Sequence, residues 1–379
     1  MPVTVHDKEP TILDTYAAHF TTTPGYLDFA RFGPPSTDVL DAVNQVTRQA
    51  MSGNPDHAEA VIDAPEQTRR LVAELLTLPV EQVTLTPNTS TALFQAAYAM
   101  PEGVVLAPER DFPSNIRPWQ RAAERGGPQL RLVASTTAAV ALAEELDSSV
   151  TAVTVSAVDY RTGERADLAT LREVVGDRLL IVDAIQGFGV VEADWACADV
   201  IAVGGQKWLR AGWGCGFMAC STGALERLGH GLSGWTGVAN PLLEGPEQPP
   251  VATADRFTIT NPSPQAAAGL SAALRIVQEV TVPVIQEAVR ARVVVLGEVL
   301  QRHGAELLGS TDPDRGSGII SARFRHSRPS PAQIAASFAR AGIVATQRED
   351  YLRVSVHAST PLDVADRIDA ALDEARRDR

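Results

Sequence analysis

A carboxylate, an amide and an amine follow one another in this chain at spacings that suit chemistry on a small aromatic ring. Asp183 ends an apolar run, Gln186 comes three residues later, and Lys207 lies twenty-four residues beyond Asp183. A lysine amine can bond to an aldehyde, a carboxylate keeps a pyridine nitrogen protonated, and an amide can donate a hydrogen bond to a phenolic oxygen. Taken singly, Asp183 is equally well explained as a helix N-cap and Gln186 as a surface amide, but the three together favour catalysis.

Lysine is almost missing from the sequence, which makes Lys207 informative. Of 33 lysines and arginines only two are lysines, Lys8 and Lys207. A genome rich in G and C explains the general preference for arginine over lysine. Arginine can replace a lysine that serves only as a surface cation, but it cannot replace a lysine whose amine must lose its proton. Lys8 lies in a polar N-terminal stretch and is expected to be solvated. Lys207 lies between glycines and apolar residues, a setting that favours covalent chemistry.

The first two thirds of the chain alternate apolar runs with helical patterns, which predicts a mostly parallel sheet covered by helices on both faces. The predicted strands are 83–86, 103–107, 130–134, 152–156, 179–183, 200–203 and 216–220, and the predicted helices are 90–100, 119–125, 138–146 and 167–175. The proline-rich residues 108–118 are predicted to form a loop. Ligands of such sheets bind at the carboxyl ends of strands, where Asp183 and the Lys207 segment lie.

The pattern changes near residue 261 and predicts a smaller α+β domain. A first helix is predicted to begin after Pro264, and further helices are predicted at 282–303, 331–341 and 362–376. Strands are predicted at 318–324 and 351–356. A length of 379 residues also exceeds what one core usually supports. We predict an N-terminal arm over residues 1–24, a large α/β domain over 25–260 and a small α+β domain over 261–379. Residues 237–251, rich in proline and glycine, are predicted to form a loop over an active site or a subunit contact.

Composition restricts the partners and the compartment. A hydrophobic share of 45% and a charged share of 21% are typical of a soluble globular protein. The net charge of −13 argues against nucleic acid and anionic membranes as partners. No apolar run reaches the roughly 20 residues of a membrane helix, and the N-terminus has no apolar signal core, so we expect a cytoplasmic protein. Three cysteines are too few for a disulfide scaffold, and no spacing with histidine indicates a metal site.

An anion site is predicted where the turn Asn88-Thr89-Ser90 precedes a helix. The first N–H groups of a helix have no intrahelical partner, and the helix dipole favours negative charge there. A plain N-cap explains the same residues.

These segments resemble the class V aminotransferase family, enzymes of fold type I that use pyridoxal phosphate and include cysteine desulfurases, kynureninases, isopenicillin N epimerase and cysteine-conjugate lyases. The resemblance covers most of the chain in the family's order. Its pieces are residues 25–28, 86–93, 109–115 and 352–357, together with Asp183, Gln186 and Lys207. It implies a large domain with a mostly parallel, seven-stranded sheet, a smaller C-terminal α+β domain, pyridoxal 5'-phosphate on Lys207, and a homodimer with active sites at the subunit interface.

The resemblance also implies roles for residues around Lys207. Thr89 and Ser90 are expected to bind the cofactor phosphate, and so is Gln206, whose position is often histidine in the family. Phe112 is expected to stack on the cofactor ring, which favours planarity but offers no proton. Arg353 is expected to bind the carboxylate of an amino-acid-like substrate through two parallel hydrogen bonds.

Four further positions depart from the family pattern or are assigned by it only in outline. Asn115 is expected to approach the substrate or the ring oxygen. Gly204 stands where many relatives have serine, so one hydroxyl contact to the phosphate is lost. An Arg256 or Asn261 supplied by a partner subunit is expected to compensate.

The reaction is less well defined than the cofactor. Cysteine desulfurases carry a nucleophilic cysteine shortly before the carboxylate-binding arginine, but residues 342–351 contain none. Cys197, Cys215 and Cys220 lie near predicted strands, as small buried hydrophobic residues do. The chemistry that remains needs only the cofactor and Lys207 as general base and acid.

We therefore expect a C–S β-lyase that cleaves an S-substituted cysteine to pyruvate, ammonia and a thiol. The alternatives within the family are an aminotransferase, an epimerase and a decarboxylating deaminase. The alternative outside enzymes is a degenerate, non-catalytic binding protein, against which the joint presence of Asp183, Gln186 and Lys207 argues.

Overall fold

The computed structural model describes residues 10–134, 139–242, 248–310, 312–324, 329–348 and 350–377. Lys8, which we expected to be solvated, lies outside these ranges. So do five residues, 243–247, of the stretch that is rich in proline and glycine.

A seven-stranded sheet forms the centre of the larger part of the chain. Its strands are β1 (Val83–Thr86), β2 (Val104–Pro108), β3 (Gln129–Val133), β4 (Val150–Ser156), β5 (Leu179–Asp183), β6 (Val200–Gly204) and β7 (Gly216–Cys220). Their order is β1-β7-β6-β5-β4-β2-β3, and only β7 runs antiparallel to its neighbours. β5, β6 and β7 are buried at every position, as expected for strands with helices on both faces. The predicted mostly parallel, seven-stranded sheet is confirmed.

Nine helices of the described chain belong to this part or precede it. They are α1 (Ile12–Ala18), α2 (Thr37–Ser52), α3 (Pro55–Leu76), α4 (Thr89–Ala99), α5 (Pro113–Ala123), α6 (Ala139–Glu144), α7 (Leu168–Val175), α8 (Thr222–Arg227) and α9 (Pro264–Val280). α9 packs against α2 and α3 with a face that includes the buried Leu270 and Leu274. Helix α9 therefore joins the N-terminal helices to the start of the C-terminal region.

A second, four-stranded sheet carries the C-terminal part. It contains β8 (Glu306–Leu307), β9 (Ile319–Arg323), β10 (Thr346–Gln347) and β11 (Leu352–Ser355) in the order β10-β11-β9-β8, with every pair antiparallel. Helices α10 (Val282–Arg302), α11 (Pro331–Arg340) and α12 (Val364–Arg377) accompany it. This arrangement confirms the predicted smaller α+β region.

The N-terminal segment is attached to this second sheet. Tyr26 and Asp28 form parallel bridges with Val344 and Ser355, and the buried Tyr16 hydroxyl of α1 lies 3.0 Å from Nε2 of His357. The segment therefore positions Asp28 beside β11.

The predicted loop over residues 108–118 was wrong in its second half, because α5 begins at Pro113. A proline at the first helical position lacks only an N–H that would have no intrahelical partner. Pro118 lies inside the helix and gives up one backbone hydrogen bond. The early start matters because Phe112 is the residue that immediately precedes α5.

Among the described residues, no single helix has both the length and the apolar character needed to cross a membrane. The successive helices α9 and α10 meet that criterion only as a pair, and they are bent by 83° at the break between them.

Candidate active site

Asp183 and Lys207 lie at the carboxyl ends of two adjacent parallel strands. Asp183 is the last residue of β5 and pairs with Ala202 of β6, and Lys207 follows β6 after a short turn. Both side chains are buried, and the Ile185 N–H donates a 3.1 Å hydrogen bond to Oδ1 of Asp183. The sheet therefore places a carboxylate and an amine at the strand edge where ligands bind.

A cavity of about 320 Å³ opens at this edge. Its lining comes from both sheets and from the N-terminal segment: Ala30, Arg31, Thr89, Ser90, Phe112, Ser114, Tyr160, Asp183, Ile185, Gln186, Gln206, Lys207, Trp213, Arg348 and Arg353. Eight of the ten residues assigned to the site from the sequence line it. Asn115 and Asn261 do not.

The charges in the cavity shift one another's protonation. Burial lowers the pKa of Lys207 to about 8, the Asp183 carboxylate opposes that change, and the positive charge of Arg353 adds to it. Burial raises the pKa of Asp183, with further repulsion from Asp111, against the stabilising N–H of Ile185 and charge of Lys207. The lysine thus exchanges its proton far more readily near neutral pH than an exposed lysine does.

Thr89, Gly204 and Gln206 form one end of the cavity. Thr89 and Ser90 are the first residues of α4, and Asn88 caps that helix by accepting the Thr91 N–H at 2.9 Å. Oγ1 of Thr89 is buried and has no hydrogen-bond partner among the described residues, while Ser90 Oγ donates to Ser114 Oγ at 2.8 Å. An unpartnered hydroxyl beside free helix N–H groups fits a phosphate.

Gly204 leaves room for Gln206 at this end. A Cβ atom on Gly204 would lie 2.5 Å from Oε1 of Gln206 and 2.9 Å from Oγ1 of Thr89. The Gln206 side chain therefore fills the space that a serine at position 204 would need. The Gln206 amide lies beside Thr89, where a serine side chain at position 204 would lie.

Gln186 is held from two sides. Its Nε2 donates to the Ala30 carbonyl at 3.0 Å, and its Oε1 accepts the Trp208 indole N–H at 2.7 Å. The second N–H of the amide has no acceptor of its own in these contacts, so it can serve a ring oxygen in the cavity. Trp208 fixes which way the amide faces.

Phe112 lies above the amine. The Nζ atom of Lys207 is 5.4 Å from the centroid of the Phe112 ring, and Tyr160 meets that ring edge-on at 5.1 Å. A flat cofactor bonded to Lys207 would lie against an aromatic wall, as the expected stacking requires.

Arg353 lies deep at the other end of the cavity. Its Nη1 donates to the Tyr160 carbonyl at 2.9 Å, and its Nη2 lies 3.6 Å from Oδ1 of Asp28. Burial lowers the pKa of Arg353, and Asp28 opposes that change. Nε of Arg353 is buried and lacks a partner among the described residues, so the guanidinium has a donor that is not yet used and from which a carboxylate could accept a hydrogen bond.

The structure places Asn115 outside the described lining of the cavity, away from the substrate or ring oxygen that we expected it to approach. The side chain is fully buried, its Nδ2 donates to Asp111 at 2.8 Å, and its Oδ1 accepts from Thr154 at 2.5 Å. Asn115 lies on the inner face of α5, which the sequence alone did not indicate. It positions Asp111, whose carboxylate also accepts from Ser156 Oγ at 2.6 Å.

Asn261 and Arg256 lie away from this cavity in the same chain. Asn261 lines a separate cavity of about 380 Å³ with Pro87, Thr91 and Gln95. The guanidinium of Arg256 donates to backbone carbonyls, including that of Leu225 at 3.0 Å, so it is committed within its own subunit. A role of Asn261 in a partner's site stays a prediction.

Sequence reasoning missed several lining and supporting residues: Asp28, Arg31, Asp111, Ser114, Tyr160, Trp213 and Arg348. Asp111 and Ser114 flank Phe112 in the segment that carried the resemblance, so their neighbourhood was a usable signal. Tyr160, Trp213 and Arg348 come from loops, and no spacing rule connects them to Lys207.

The residues of the cavity fit pyridoxal phosphate. The unpartnered Thr89 hydroxyl and the start of α4 suit its phosphate, Asp183 suits its ring nitrogen, and the amine of Lys207, with its lowered pKa, suits its aldehyde.

The chain is similar in sequence to a known family and to curated proteins. The family model described as aminotransferase class-V matches residues 26–347. A kynureninase from Deinococcus radiodurans is 27% identical over an alignment of 319 residues, which covers 79% of this chain and 75% of that protein. A probable cysteine desulfurase from Methanothermobacter thermautotrophicus is 27% identical over an alignment of 221 residues, which covers 54% of this chain and 55% of that protein.

Solved structures show the same fold. The apo cysteine desulfurase from Thermococcus onnurineus superposes with a TM-score of 0.83 at 19% identity, covering 93% of this chain and 94% of that one. The cystine C–S lyase C-DES in complex with its product cysteine persulfide superposes with a TM-score of 0.81 at 22% identity, covering 92% of this chain and 97% of that one. At these identities the likeness concerns the fold.

Proposed function

The chain belongs to the class V aminotransferase family, whose members are pyridoxal-phosphate enzymes, and we propose that it is a C–S β-lyase acting on an S-substituted cysteine. The products are pyruvate, ammonia and a thiol. One observation carries the proposal: among the described lining residues, Lys207 is the one nitrogen base, and the cavity has no cysteine. Such a site supports proton transfer at Cα and has no thiol to accept sulfur.

The cysteines argue against desulfurase chemistry. Cys215 and Cys220 are buried and Cys197 is partly exposed, and none of them lines the cavity. Burial raises the pKa of each thiol, to about 11 for Cys197 and to about 12 for Cys215 and Cys220. Because the thiolate is the nucleophile, these protonated thiols do not suit persulfide formation.

Each residue has a defined part in the proposed elimination. Arg353 binds the substrate α-carboxylate and thereby fixes the direction in which the Cα–H bond points. Lys207 Nζ would be released when the substrate amine takes its place on the cofactor aldehyde carbon, and it would then accept the Cα proton. The Cβ–S bond would break, and the sulfur would leave with the bonding electrons and become a thiol when protonated. The bound cofactor supplies the electron sink that makes the Cα proton acidic, and Asp183 maintains that sink by keeping the ring nitrogen protonated. The three-carbon remainder hydrolyses to pyruvate and ammonia.

The alternatives differ in where the proton goes. Return of a proton to the opposite face of Cα gives an epimerase, transfer to the cofactor carbon gives an aminotransferase, and loss of the carboxylate gives a decarboxylating deaminase. Elimination is preferred over epimerisation because an epimerase needs a second acid on the opposite face of Cα, and among the described lining residues no histidine accompanies Lys207. Elimination and transamination need Lys207 alone and are separated by their products.

We extend the proposal to a cytoplasmic homodimer in which Asn261 reaches the partner's phosphate site. Exposed apolar side chains cluster in the segments near Asn261: Leu232, Trp235, Leu242 and Ile259 are 41%, 47%, 88% and 47% exposed. Exposed apolar surface of this kind, where it is contiguous, marks protein interfaces. Sedimentation of the holoenzyme tests the dimer, and Asn261→Ala tests the shared site through the cofactor dissociation constant.

The reaction is tested by incubating the holoenzyme with a panel of S-substituted cysteines and measuring thiol and pyruvate. Equal amounts of both establish the lyase. Conversion of the cofactor to its amine form without pyruvate would indicate transamination, loss of optical activity would indicate an epimerase, and carbon dioxide would indicate decarboxylation. A purified protein that binds no cofactor would favour the alternative of a non-catalytic binding protein. Kynurenine belongs in the panel because of the kynureninase relative.

A further inference from the structure

The outer part of the active-site cavity carries more positive charge than an amino-acid backbone requires. Three arginines line it, namely Arg31, Arg348 and Arg353. Arg353 is buried, and its Nε has no partner among the described residues, so it has an unused donor for one carboxylate. Arg31 and Arg348 are exposed at the rim and have no part in the elimination described above.

The rim arginines are weakly compensated. The nearest carboxylate oxygen to Arg31 is Oδ2 of Asp28, 3.9 Å from Nη1, and the Arg31 side chain is 77% exposed. Asp28 also faces Arg353 at 3.6 Å, so one carboxylate is shared by two guanidinium groups. In the described part of the chain, no carboxylate oxygen lies within ion-pair distance of Arg348.

Arg348 acts electrostatically on the interior of the cavity. Burial lowers the pKa of Arg353, and the positive charge of Arg348 lowers it further, against the opposing effect of Asp28. Two like charges close enough to affect each other repel until an anion lies between or beside them. In a chain with a net charge of −13, this local excess of positive charge attracts an anion specifically to the cavity rim.

Aromatic surface connects the rim to the interior. Trp213 is 69% exposed, and its ring stacks on Phe32 at 5.5 Å with an interplanar angle of 7°. Tyr160 stands beside Phe112 further in. These faces suit the methylene groups of an extended side chain running from Cα toward Arg31 and Arg348.

We propose that the rim binds a second anionic group, so that the substrate is an S-substituted cysteine whose substituent ends in a carboxylate. The α-carboxylate lies on Arg353, the substituent lies along Trp213 and Tyr160, and the distal carboxylate lies at Arg31 and Arg348. This inference rests on the proposed function only in that the substrate contains sulfur. Recognition of two anionic groups does not depend on which bond the enzyme breaks.

Binding is tested with two amino acids that differ in one group. L-2-Aminoheptanedioate, which has a methylene in place of sulfur and cannot release a thiol, is compared with its neutral 7-amide. Dissociation constants for the holoenzyme come from the rapid change in cofactor absorption on mixing. The acid should bind about tenfold or more tightly than the amide, and added salt should reduce the difference because the rim is exposed. Equal binding of the two would overturn the inference.

Variants of the rim arginines test which residues cause the preference for the acid over the amide. Arg348→Gln and Arg31→Gln should each reduce the preference for the acid severalfold while leaving the affinity for the amide unchanged, and Arg348→Lys should retain part of it. Arg70→Gln, at an exposed arginine of α3, is the matched control. A preference that survives both rim variants would place the second anion elsewhere and overturn the assignment.

The reaction is tested separately with S-(2-carboxyethyl)-L-cysteine and S-(2-carbamoylethyl)-L-cysteine. Thiol released from both with equal efficiency would support the lyase and overturn the two-anion site. Preferential binding of the acid without thiol release would support the two-anion site and overturn the lyase.

Discussion

Nη2 of Arg353 lies 3.6 Å from Oδ1 of Asp28, and each side chain is only 4% exposed. The same Asp28 oxygen accepts a 2.6 Å hydrogen bond from Thr346, so the carboxylate is anchored to the small sheet by β10. The guanidinium is thereby held at a fixed angle with its Nε edge unpartnered. An arginine that is oriented before the substrate arrives loses little conformational freedom on binding.

Arg353→Gln should lower kcat/KM for an amino-acid substrate by about a hundredfold, mainly through KM. Removing one partner of a buried, hydrogen-bonded charge pair costs about 2–5 kcal/mol, and the loss falls on binding because the α-carboxylate does not react. Steady-state kinetics of the holoenzyme give both parameters. Arg302→Gln, at an exposed arginine of α10, is the control, and an unchanged KM in Arg353→Gln would mean that another group holds the carboxylate.

Lys207→Met should abolish turnover and covalent attachment of the cofactor while leaving the fold intact. Lysine is the one side chain in the described cavity lining that can bond to the aldehyde. Borohydride reduction of the holoenzyme followed by mass spectrometry of its peptides should locate the cofactor on Lys207. Lys8→Arg removes the only other lysine and should change nothing; a cofactor still reduced onto the protein in Lys207→Met would contradict the assignment.

Capture of pyridoxal phosphate by the apoprotein should accelerate with rising pH, with a midpoint near pH 8. The attacking amine must be unprotonated, and burial lowers the pKa of Lys207 to about 8 from the ordinary value of about 10.4. Stopped-flow absorbance after mixing measures the rate. Asp28→Asn should move the midpoint down and Arg353→Gln should move it up, since Asp28 raises and Arg353 lowers the pKa of Lys207. A midpoint above pH 10 would show that the amine is not desolvated.

The deep residues of the site were predictable because local sequence fixes their position. Asp183 ends a fully apolar strand, and the Lys207 segment follows the next one, so the geometry of a parallel sheet brings both to one edge. Thr89 begins a helix whose N-cap is visible in the sequence.

The remaining residues were not predictable for physical reasons. Asp28 and Tyr160 reach Arg353 from loops far away in the chain, and tertiary packing decides such contacts. The burial of Asn115 was not predicted because residues 108–118 were expected to form a loop, whereas α5 begins at Pro113 and has Asn115 among its buried residues. The loop was predicted from the prolines of this segment, including Pro113, although proline is also favoured at the first position of a helix.

Arg210→Asn should lower the free energy of unfolding by about 3 kcal/mol or more, because its buried partners lose their donor. Arg210 is fully buried, donates to the Pro34 carbonyl at 2.6 Å and to Ser359 Oγ at 3.0 Å, and lies 3.7 Å above the Phe20 ring. Asparagine tolerates its left-handed backbone, with φ of 59°, so the loss reports on the side chain. Chemical denaturation measures it, and Arg48→Asn on the exposed face of α2 should cost less than about 1 kcal/mol.

Gly204→Ser should weaken cofactor binding about tenfold, although it introduces the hydroxyl that many relatives have. A Cβ atom at this position would lie 2.5 Å from Oε1 of Gln206 and 2.9 Å from Oγ1 of Thr89, so the serine must displace the amide from the phosphate end. Equilibrium dialysis of the apoprotein against pyridoxal phosphate measures the dissociation constant. Gly223→Ser, where the nearest atom to an added Cβ lies at 3.8 Å, is the control.

A substitution at Gln206, combined with Gly204→Ser, tests whether the two residues contribute jointly to cofactor binding. The double variant Gly204→Ser/Gln206→His has the residues that are common in the family at both positions. Replacing the Gln206 amide should therefore restore the affinity for pyridoxal phosphate to within about threefold of the original. Gln206→His alone should weaken binding, since the ring would face the space beside Gly204 without a serine to contact. The double-mutant cycle then gives a coupling energy well above the roughly 0.5 kcal/mol expected of independent sites. Additive losses would instead mean that Gln206 does not occupy the serine's place.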